Sequence, residues 1–319
     1  MRAVMIFLSA LLGAPAFAVE VYPTKPVRWI APVLAGGGGD LIARAVAAKL
    51  GDAWGQQVII DNRPGGGGTL GMSIAMKMPA DGYTMVLAVM SFVGIAPAVY
   101  PKLAYDPRRD FAAVTQILDA PLILAAHPSL PAKNVRELIA IARAKPGSIS
   151  YATPGSGTAA HMATELIRSM SGTQMLHVPY RGAPPALTDV VSGQVTMYMT
   201  TVPGGMPLVK AGRLKILGVS SAKRTRALPD VPTIAESGLP GYDVSTWYGV
   251  LVPAGVPAPV LTRMNADIVR VIRLPEVQER FASEGGDVVG NTPEAFAAFI
   301  ASEIAKWTKV AKEAGVKPD

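Results

Sequence analysis

Three loops rich in glycine and hydroxyl groups stand where short β-branched runs give way to helical ones, and backbone N–H groups at such junctions bind anions. The first is Gly36 to Gly39, followed by Asp40, which is expected to cap a helix with Leu41, Ala45, Ala48 and Leu50 among its apolar positions. It does not fit a dinucleotide fingerprint, because Leu41 or Ile42 falls where the third glycine is required. The second, Gly65 to Gly68, approaches a nucleotide-binding P-loop: Gly66 and Gly71 have the separation and Ser73 the hydroxyl. Met72 stands at the lysine position, so nothing neutralises phosphate charge, and a structural turn is the better reading. The third, Thr153-Pro154-Gly155-Ser156-Gly157-Thr158, precedes a clear helical pattern. Its hydroxyls and backbone donors suit a ligand carboxylate, while Ser156 or Thr158 serves equally well as an N-cap.

Catalytic constellations do not assemble. The histidines His127, His161 and His177 show no metal-ligand spacing and no H-E-x-x-H, and each reads as a packed or capped side chain. Ser220-Ser221-Ala222-Lys223 matches S-x-x-K without the accompanying S-D-N or K-T-G, and Gly155-Ser156-Gly157 is not a nucleophile elbow. Local spacing offers no paired carboxylates. With no cysteine in the chain, disulfides, thiolate metal sites and thiol catalysis are excluded. The expectation is binding without chemistry: no catalytic residue, no metal and no cofactor.

The net charge of +7 is spread thinly, with Lys223-Arg224-Thr225-Arg226 its only dense cluster. Nucleic acid would require a basic stripe interleaved with aromatics; a diffuse positive field instead assists capture of small anions. Arg2, the apolar run Ala3 to Leu12 and the small-x-small triplet Ala16-Phe17-Ala18 form a secretory leader, with cleavage expected after Ala18. The absence of cysteine leaves no site for a lipid anchor, so a soluble periplasmic product is expected. Met85 to Tyr100, the nearest approach to a spanning run, is interrupted by Ser91, Gly94 and Pro97 and reads as a strand, a loop and a helix start.

The elements that position these loops alternate regularly. Val27–Val33, Gln56–Ile60 and Tyr83–Val89 read as strands with helices between them, a βαβαβ rhythm that demands a largely parallel sheet covered on both faces. A second alternating block runs from the strand Leu122–Ala126 to the strand Leu214–Val219, with Asn134 placed to cap the helix ending at Ala144. After a proline-punctuated stretch, Tyr248–Val252 returns as a strand and three helices close the chain, at Ala258–Ile272, Pro275–Ser283 and Thr292–Ala314. Helices alone cannot complete a sheet's cover unless they pack back on an earlier domain. The expected architecture is therefore α/β with two lobes: residues 19–120 plus 246–319, and an inserted 121–245, with a hinge near Pro121 and Trp247.

Several segments in order resemble the tripartite tricarboxylate transporter receptors, the TctC-like or Bug family. They include Tyr22-Pro23-Thr24-Lys25-Pro26-Val27-Arg28, Val58 to Gly68, Pro79-Ala80-Asp81-Gly82-Tyr83-Thr84 and Tyr105-Asp106-Pro107. Gly155 to His161, His177-Val178-Pro179-Tyr180-Arg181-Gly182, Ser221-Ala222-Lys223-Arg224 and Trp247-Tyr248-Gly249 continue the series. The resemblance implies a type II periplasmic-binding fold with the ligand gripped between lobes. It implies ligand contacts from Leu34, Ala35, Gly36, Gly37 and Gly38; from Ser91, Phe92, Val93 and Gly94; from Ser156, Gly157 and Thr158; and from Tyr180, Arg181, Gly182 and Ala183. It also implies a small organic acid as ligand and the membrane permease subunits of a tripartite transporter as partner, a sensor kinase being the alternative output; a monomer is expected. Three departures bear on the ligand. The first loop lacks the family's usual phenylalanine and proline, Phe92 to Pro97 replaces a T-H-x-x-N-P pattern, and Thr200-Thr201 stands where aspartate-asparagine is common. A pocket less polar and less acidic than usual follows, with Thr200 among its ligand contacts, suited to a ligand with a carboxylate end and an apolar or aromatic body.

Overall fold

Apolar side chains recurring at strand and helix spacing build two βα blocks joined by two long strands. The computed structural model describes residues 22–283 and 285–316; the expected leader and its cleavage after Ala18 lie outside them. The first block comprises β1 (Val27–Ala31), α1 (Gly38–Trp54), β2 (Val58–Asn62), α2 (Thr69–Ala75), β3 (Thr84–Val89), a single π-helical turn at Ser91–Ile95 and α3 (Ala96–Val99). Strand β1 pairs in parallel with both β2 and β3, through Val27↔Val58 and Arg28↔Thr84. The second block runs β4 (Phe111–Ala126), α4 (Val135–Ala144), β5 (Ser150–Thr153), α5 (Ala159–Ser171), β6 (Leu176–Pro179), α6 (Ala183–Val191), β7 (Met197–Thr201), α7 (Val202–Lys210) and β8 (Lys215–Val219). Helix α4 shows the underlying physics. Val135, Leu138, Ile139 and Ala142 recur on one face and are all buried. The Asn134 side chain accepts the Glu137 N–H at 3.0 Å, the cap expected of it.

The chain then returns through β9 (Ser245–Pro253) to α8 (Ala258–Ile272), α9 (Pro275–Ser283), β10 (Asp287–Val288) and α10 (Pro293–Ala314). Strand order is β2-β1-β3-β9-β4-β7-β5-β6, with β8 and β10 also on β4. The parallel expectation holds within the βαβ units, whereas β4 and β9 run antiparallel to their neighbours. Strand β4 serves both halves of the sheet: Phe111 to Pro121 pair with β9, and Leu122 to Ala126 pair with β7 and mostly with β8. The change of partner falls at Pro121, a residue with no N–H to donate to a ladder. The C-terminal helices fold back on the first half-sheet, where α8 and α10 pack on β4 and α1 packs on α8 and α9. Helix α10 also reaches the inserted block, where Ser169 Oγ donates to Glu313 Oε2 at 2.6 Å.

The paired strands carry a titratable group. Asp119 on β4 stands opposite Trp247 of β9 and Asp287 of β10. Burial pushes its carboxyl up to about 6, with the Asp243 and Glu303 charges adding to the shift and Lys306 opposing it. The unfolded value is about 3.9, so the folded state holds this proton to higher pH. Ionisation therefore costs stability above about pH 6, and the cost disappears as pH falls below about 4. Asp119→Asn is expected to stabilise the protein at pH 8 by roughly 2 kcal/mol and to give little gain at pH 4. Urea denaturation at the two pH values checks this; equal gains at both would show that the carboxylate charge is not the cause.

Candidate functional site

The loop between β1 and α1 leaves Leu34 to Gly38 exposed, with Gly36 at φ +78°, a conformation that glycine alone adopts without strain. Asp40 does not cap α1. Gly37 occupies the N-cap in extended backbone, and Asp40 is the third helical residue, its carboxylate turned back beneath the loop. There it accepts the Gly36 N–H at 2.8 Å, Arg44 Nε at 2.9 Å and Asn62 Nδ2 at 2.9 Å. Burial alone would raise this carboxyl; the bonds from Arg44, Gly36 and Asn62 outweigh it and hold it below its ordinary value. The loop is thus braced from below by a fixed anion, and the first-turn N–H groups of α1 have no acceptor within the helix. A methyl group on Gly38 or Gly39 would stand 4.0 Å from Tyr248 Oη or 3.4 Å from Tyr248 Cε1, so this helix start lies against β9.

After β3 the chain enters the π-turn. Only Ser91 is partly exposed; Phe92, Val93 and Gly94 are buried. Phe92 and Val93, expected among the ligand contacts, are covered by neighbouring protein atoms in this structure. The turn is wedged between the second glycine loop and α10. A methyl on Gly68 would fall 2.2 Å from Phe92 Cδ1, and one on Gly94 would fall 3.5 Å from both Trp247 and Trp307. Gly65 to Gly68 all lie at positive φ, and Gly68 forms the seat of the Phe92 ring.

In the inserted block, Thr158 caps α5 by accepting the His161 N–H at 3.4 Å. Gly182, at φ +110°, occupies the N-cap of α6. The two helix starts are tied together by Tyr180 N–H to Thr153 O at 2.9 Å and Gly182 N–H to Pro154 O at 3.2 Å. A methyl on Gly157 would stand 3.3 Å from Val99 Cγ1, which places this loop directly across from α3 of the first block. The Tyr180 hydroxyl donates to Asp189 at 2.6 Å, and burial followed by that bond pushes it up to about 12. Its polar end is committed to its own block. Arg181 is exposed, and Gly182 and Ala183 are half-buried. Thr200 is buried beneath α7, with Gly204 and Gly205 closing over its side chain; the exposed Thr201 caps α7 by accepting the Gly204 N–H at 3.2 Å. Thr200 therefore presents no side-chain surface at the position where it was expected to.

The structure accordingly sets Gly38 and Gly39 against Tyr248, sets α3 against Gly157, and ties the Thr153–Thr158 loop to Gly182 through Pro154. Sequence reasoning passed over Tyr248, Val99 and Thr201. The signal for Tyr248 was strand alternation: Trp247 is buried, so its neighbour faces the other way. Ser220 of the S-x-x-K match is a structural pin, its hydroxyl donating to Val244 O at 2.6 Å and accepting the Leu122 N–H at 2.7 Å. Among the described residues, no group of three or more His, Cys, Asp or Glu side chains is placed to hold a metal ion, and no helix is long and apolar enough to cross a membrane. Backbone donors at helix starts, set opposite small apolar side chains, can orient a carboxylate and enclose an organic body.

Residues 42–316 match the tripartite tricarboxylate transporter family receptor model. Among curated proteins, the UPF0065 protein in the tcbD-tcbE intergenic region of Pseudomonas sp. strain P51 is 38% identical over 92% of this chain and 88% of its own length. Protein BugT of Bordetella pertussis is 33% identical over 98% and 96%. Among solved structures, R. palustris Rpa4515 with adipate superposes with a TM-score of 0.81 at 36% identity, covering 93% of this chain and all of that one. MatC (Rpa3494) from Rhodopseudomonas palustris with bound malate gives 0.76 at 30% identity, over 91% and 99%. With this mixed α/β fold, the chain belongs to the tripartite tricarboxylate transporter receptor family of periplasmic solute-binding proteins.

Proposed function

We propose that this receptor captures a carboxylate-bearing organic acid between its lobes and delivers it, unaltered, to the membrane subunits of a tripartite transporter. The observation that carries the proposal is the contact of Gly157 with Val99. It sets the α5 helix start opposite the first block, where an anion would meet backbone donors from both sides. The adipate and malate held by two solved relatives support a carboxylate. The lobes are assigned to residues 19–120 plus 246–319 and to 121–245, with the hinge near Pro121, where β4 changes partner, and near Trp247, two residues into β9. Export with cleavage after Ala18 belongs to the same proposal.

The ligand's carboxylate is assigned to the first-turn N–H groups of α5 and α1, and its body to the surface of Leu34 and Tyr248. Neither carries a charge, so an acid with an extended apolar chain is favoured over a compact polyacid. Calorimetry with adipate, malate, citrate and benzoate tests this. Adipate or benzoate is expected to bind at least about tenfold more tightly than citrate, a difference of about 1.4 kcal/mol. A preference for citrate would overturn the apolar body, and failure of all four acids would overturn the carboxylate.

A further inference from the structure

Beneath the α5 loop lie a buried imidazole, His161, and a half-buried one, His177, that the proposed binding step does not itself use. The His161 and His177 rings stack at 4.0 Å between centroids and 9° between planes, and Tyr151 stacks on His177 at 5.0 Å. His161 Nδ1 accepts the Gly157 N–H at 3.0 Å. An imidazole nitrogen that accepts a hydrogen bond carries no proton, so the neutral ring holds its proton on Nε2. That nitrogen lies 3.7 Å from Glu165 Oε1. Glu165 also accepts from the Tyr151 hydroxyl and from Arg168 at 2.5 and 2.7 Å. His177 Nε2 meets Thr153 Oγ1 at 2.7 Å, and Thr153 Oγ1 in turn accepts the Gly155 N–H at 3.4 Å. Both glycines of the Gly155–Thr158 loop are therefore tied to this stack, Gly157 directly and Gly155 through Thr153.

Resting on the assignment of that loop to the ligand's carboxylate, we infer that His161 is a positioning residue: its Nδ1 lone pair sets the Gly157 peptide and makes ligand capture sensitive to pH. Two facts give the sign. A proton on Nδ1 turns the acceptor into a donor facing another donor, the Gly157 N–H, which must move away. Glu165 at 3.7 Å stabilises the imidazolium, while Arg168 and the stacked His177 oppose it. Acidification thus exchanges a loop braced for an anion for one that is not, and binding weakens as His161 gains its proton. Gly157 has φ +71° and lies against Val99, so a shift in its peptide is transmitted to the contact between the lobes.

The test has a part that needs no ligand. In ¹⁵N-labelled wild-type protein, the His161 ring is expected to show protonated Nε2 and bare Nδ1, and the Gly157 amide resonance should shift along the His161 titration. A Gly157 amide that stays flat through that titration, or a proton found on Nδ1 at neutral pH, overturns the proposal. The second part measures adipate and malate binding by calorimetry between pH 5.5 and 8. Wild type should weaken about fivefold toward pH 5.5, and His161→Phe, a ring with no acceptor, should lose about tenfold at pH 8. His161→Asn places an acceptor near the Nδ1 position and should recover most of that loss while flattening the pH profile. A His161→Phe protein that binds as tightly as wild type, with an unchanged profile, overturns the inference. If either acid binds wild type but Ala159→Pro, which removes a first-turn N–H where proline is tolerated, leaves affinity untouched, the loop assignment fails instead. If neither acid binds wild type, the ligand reading falls, and the Gly157 titration alone decides the role of His161.

Discussion

Replacing Glu303 by alanine is expected to destabilise the protein by about 4 kcal/mol, lowering its melting temperature by roughly 8 °C. Glu303 sits on α10 with 4% of its surface exposed. Its Oε2 accepts the indole N–H of Trp247 at 2.9 Å and that of Trp307 at 3.0 Å, and its other oxygen pairs with Lys306. Both indoles are themselves buried. Alanine would leave two donors without an acceptor and open a cavity between them; each unsatisfied buried polar group costs about 1–3 kcal/mol before any cavity is counted. Glu303→Gln keeps an acceptor and fills the volume, so its loss should be less than half as large. Trp247 lies in β9, where that strand pairs with the end of β4, so α10 fixes the strands proposed as the hinge. Urea denaturation of the two variants against wild type measures the difference. An alanine variant within 1 kcal/mol of wild type would mean that water replaces the carboxylate without loss.

Local chemistry was legible in the sequence wherever one residue decides the outcome. Asn134 caps α4 because its side chain competes for the helix's orphan N–H groups, and Ala258–Ile272 and Pro275–Ser283 begin at proline-bearing first turns and run to the expected ends. The family could be read because many short segments kept their order. The first eleven residues of β4, Phe111 to Pro121, were not legible. Ala112 and Ala113 blur the alternation, and register shifts between Ala113 and Thr115 and between Gln116 and Leu118 break the period of two on which strand recognition rests. The expected site residues that are buried share a cause. Whether Phe92 faces solvent or core depends on the Gly68 seat, formed more than twenty residues earlier, and whether Thr200 or Thr201 is exposed depends on how α7 lies across β7. Those are tertiary facts. Asp40 shows the intermediate case: a helix-start acid was correctly sensed, but two glycines ahead of it moved the cap to Gly37 and turned the carboxylate into the loop's brace.

Gly249→Ala is expected to cost at least about 3 kcal/mol in stability and to weaken ligand binding as well, through a residue that touches no ligand. Gly249 lies in β9 between β3 and β4, paired with Ala88 and Gln116. A methyl group there would stand 2.3 Å from Phe296 Cζ and 2.9 Å from the Thr115 carbonyl oxygen. Phe296 is fully buried in α10 and packs edge-on against Trp247, with ring centroids 5.8 Å apart, so it has no open space to turn into. The carbonyl belongs to the neighbouring strand and moves only with the ladder. Accommodation must therefore come from lifting α10 off the sheet or bending β9. Bending β9 displaces Tyr248, the preceding residue, which lies against Gly38 and Gly39 at the start of α1. Stability and affinity should fall together in Gly249→Ala, whereas Phe296→Leu combined with Gly249→Ala, by removing the ring edge, should restore part of both. Denaturation and adipate calorimetry on the single and double variants test this. Additive losses in the double variant would show that the ring is not what excludes a side chain at position 249, and would leave the Thr115 carbonyl as the constraint.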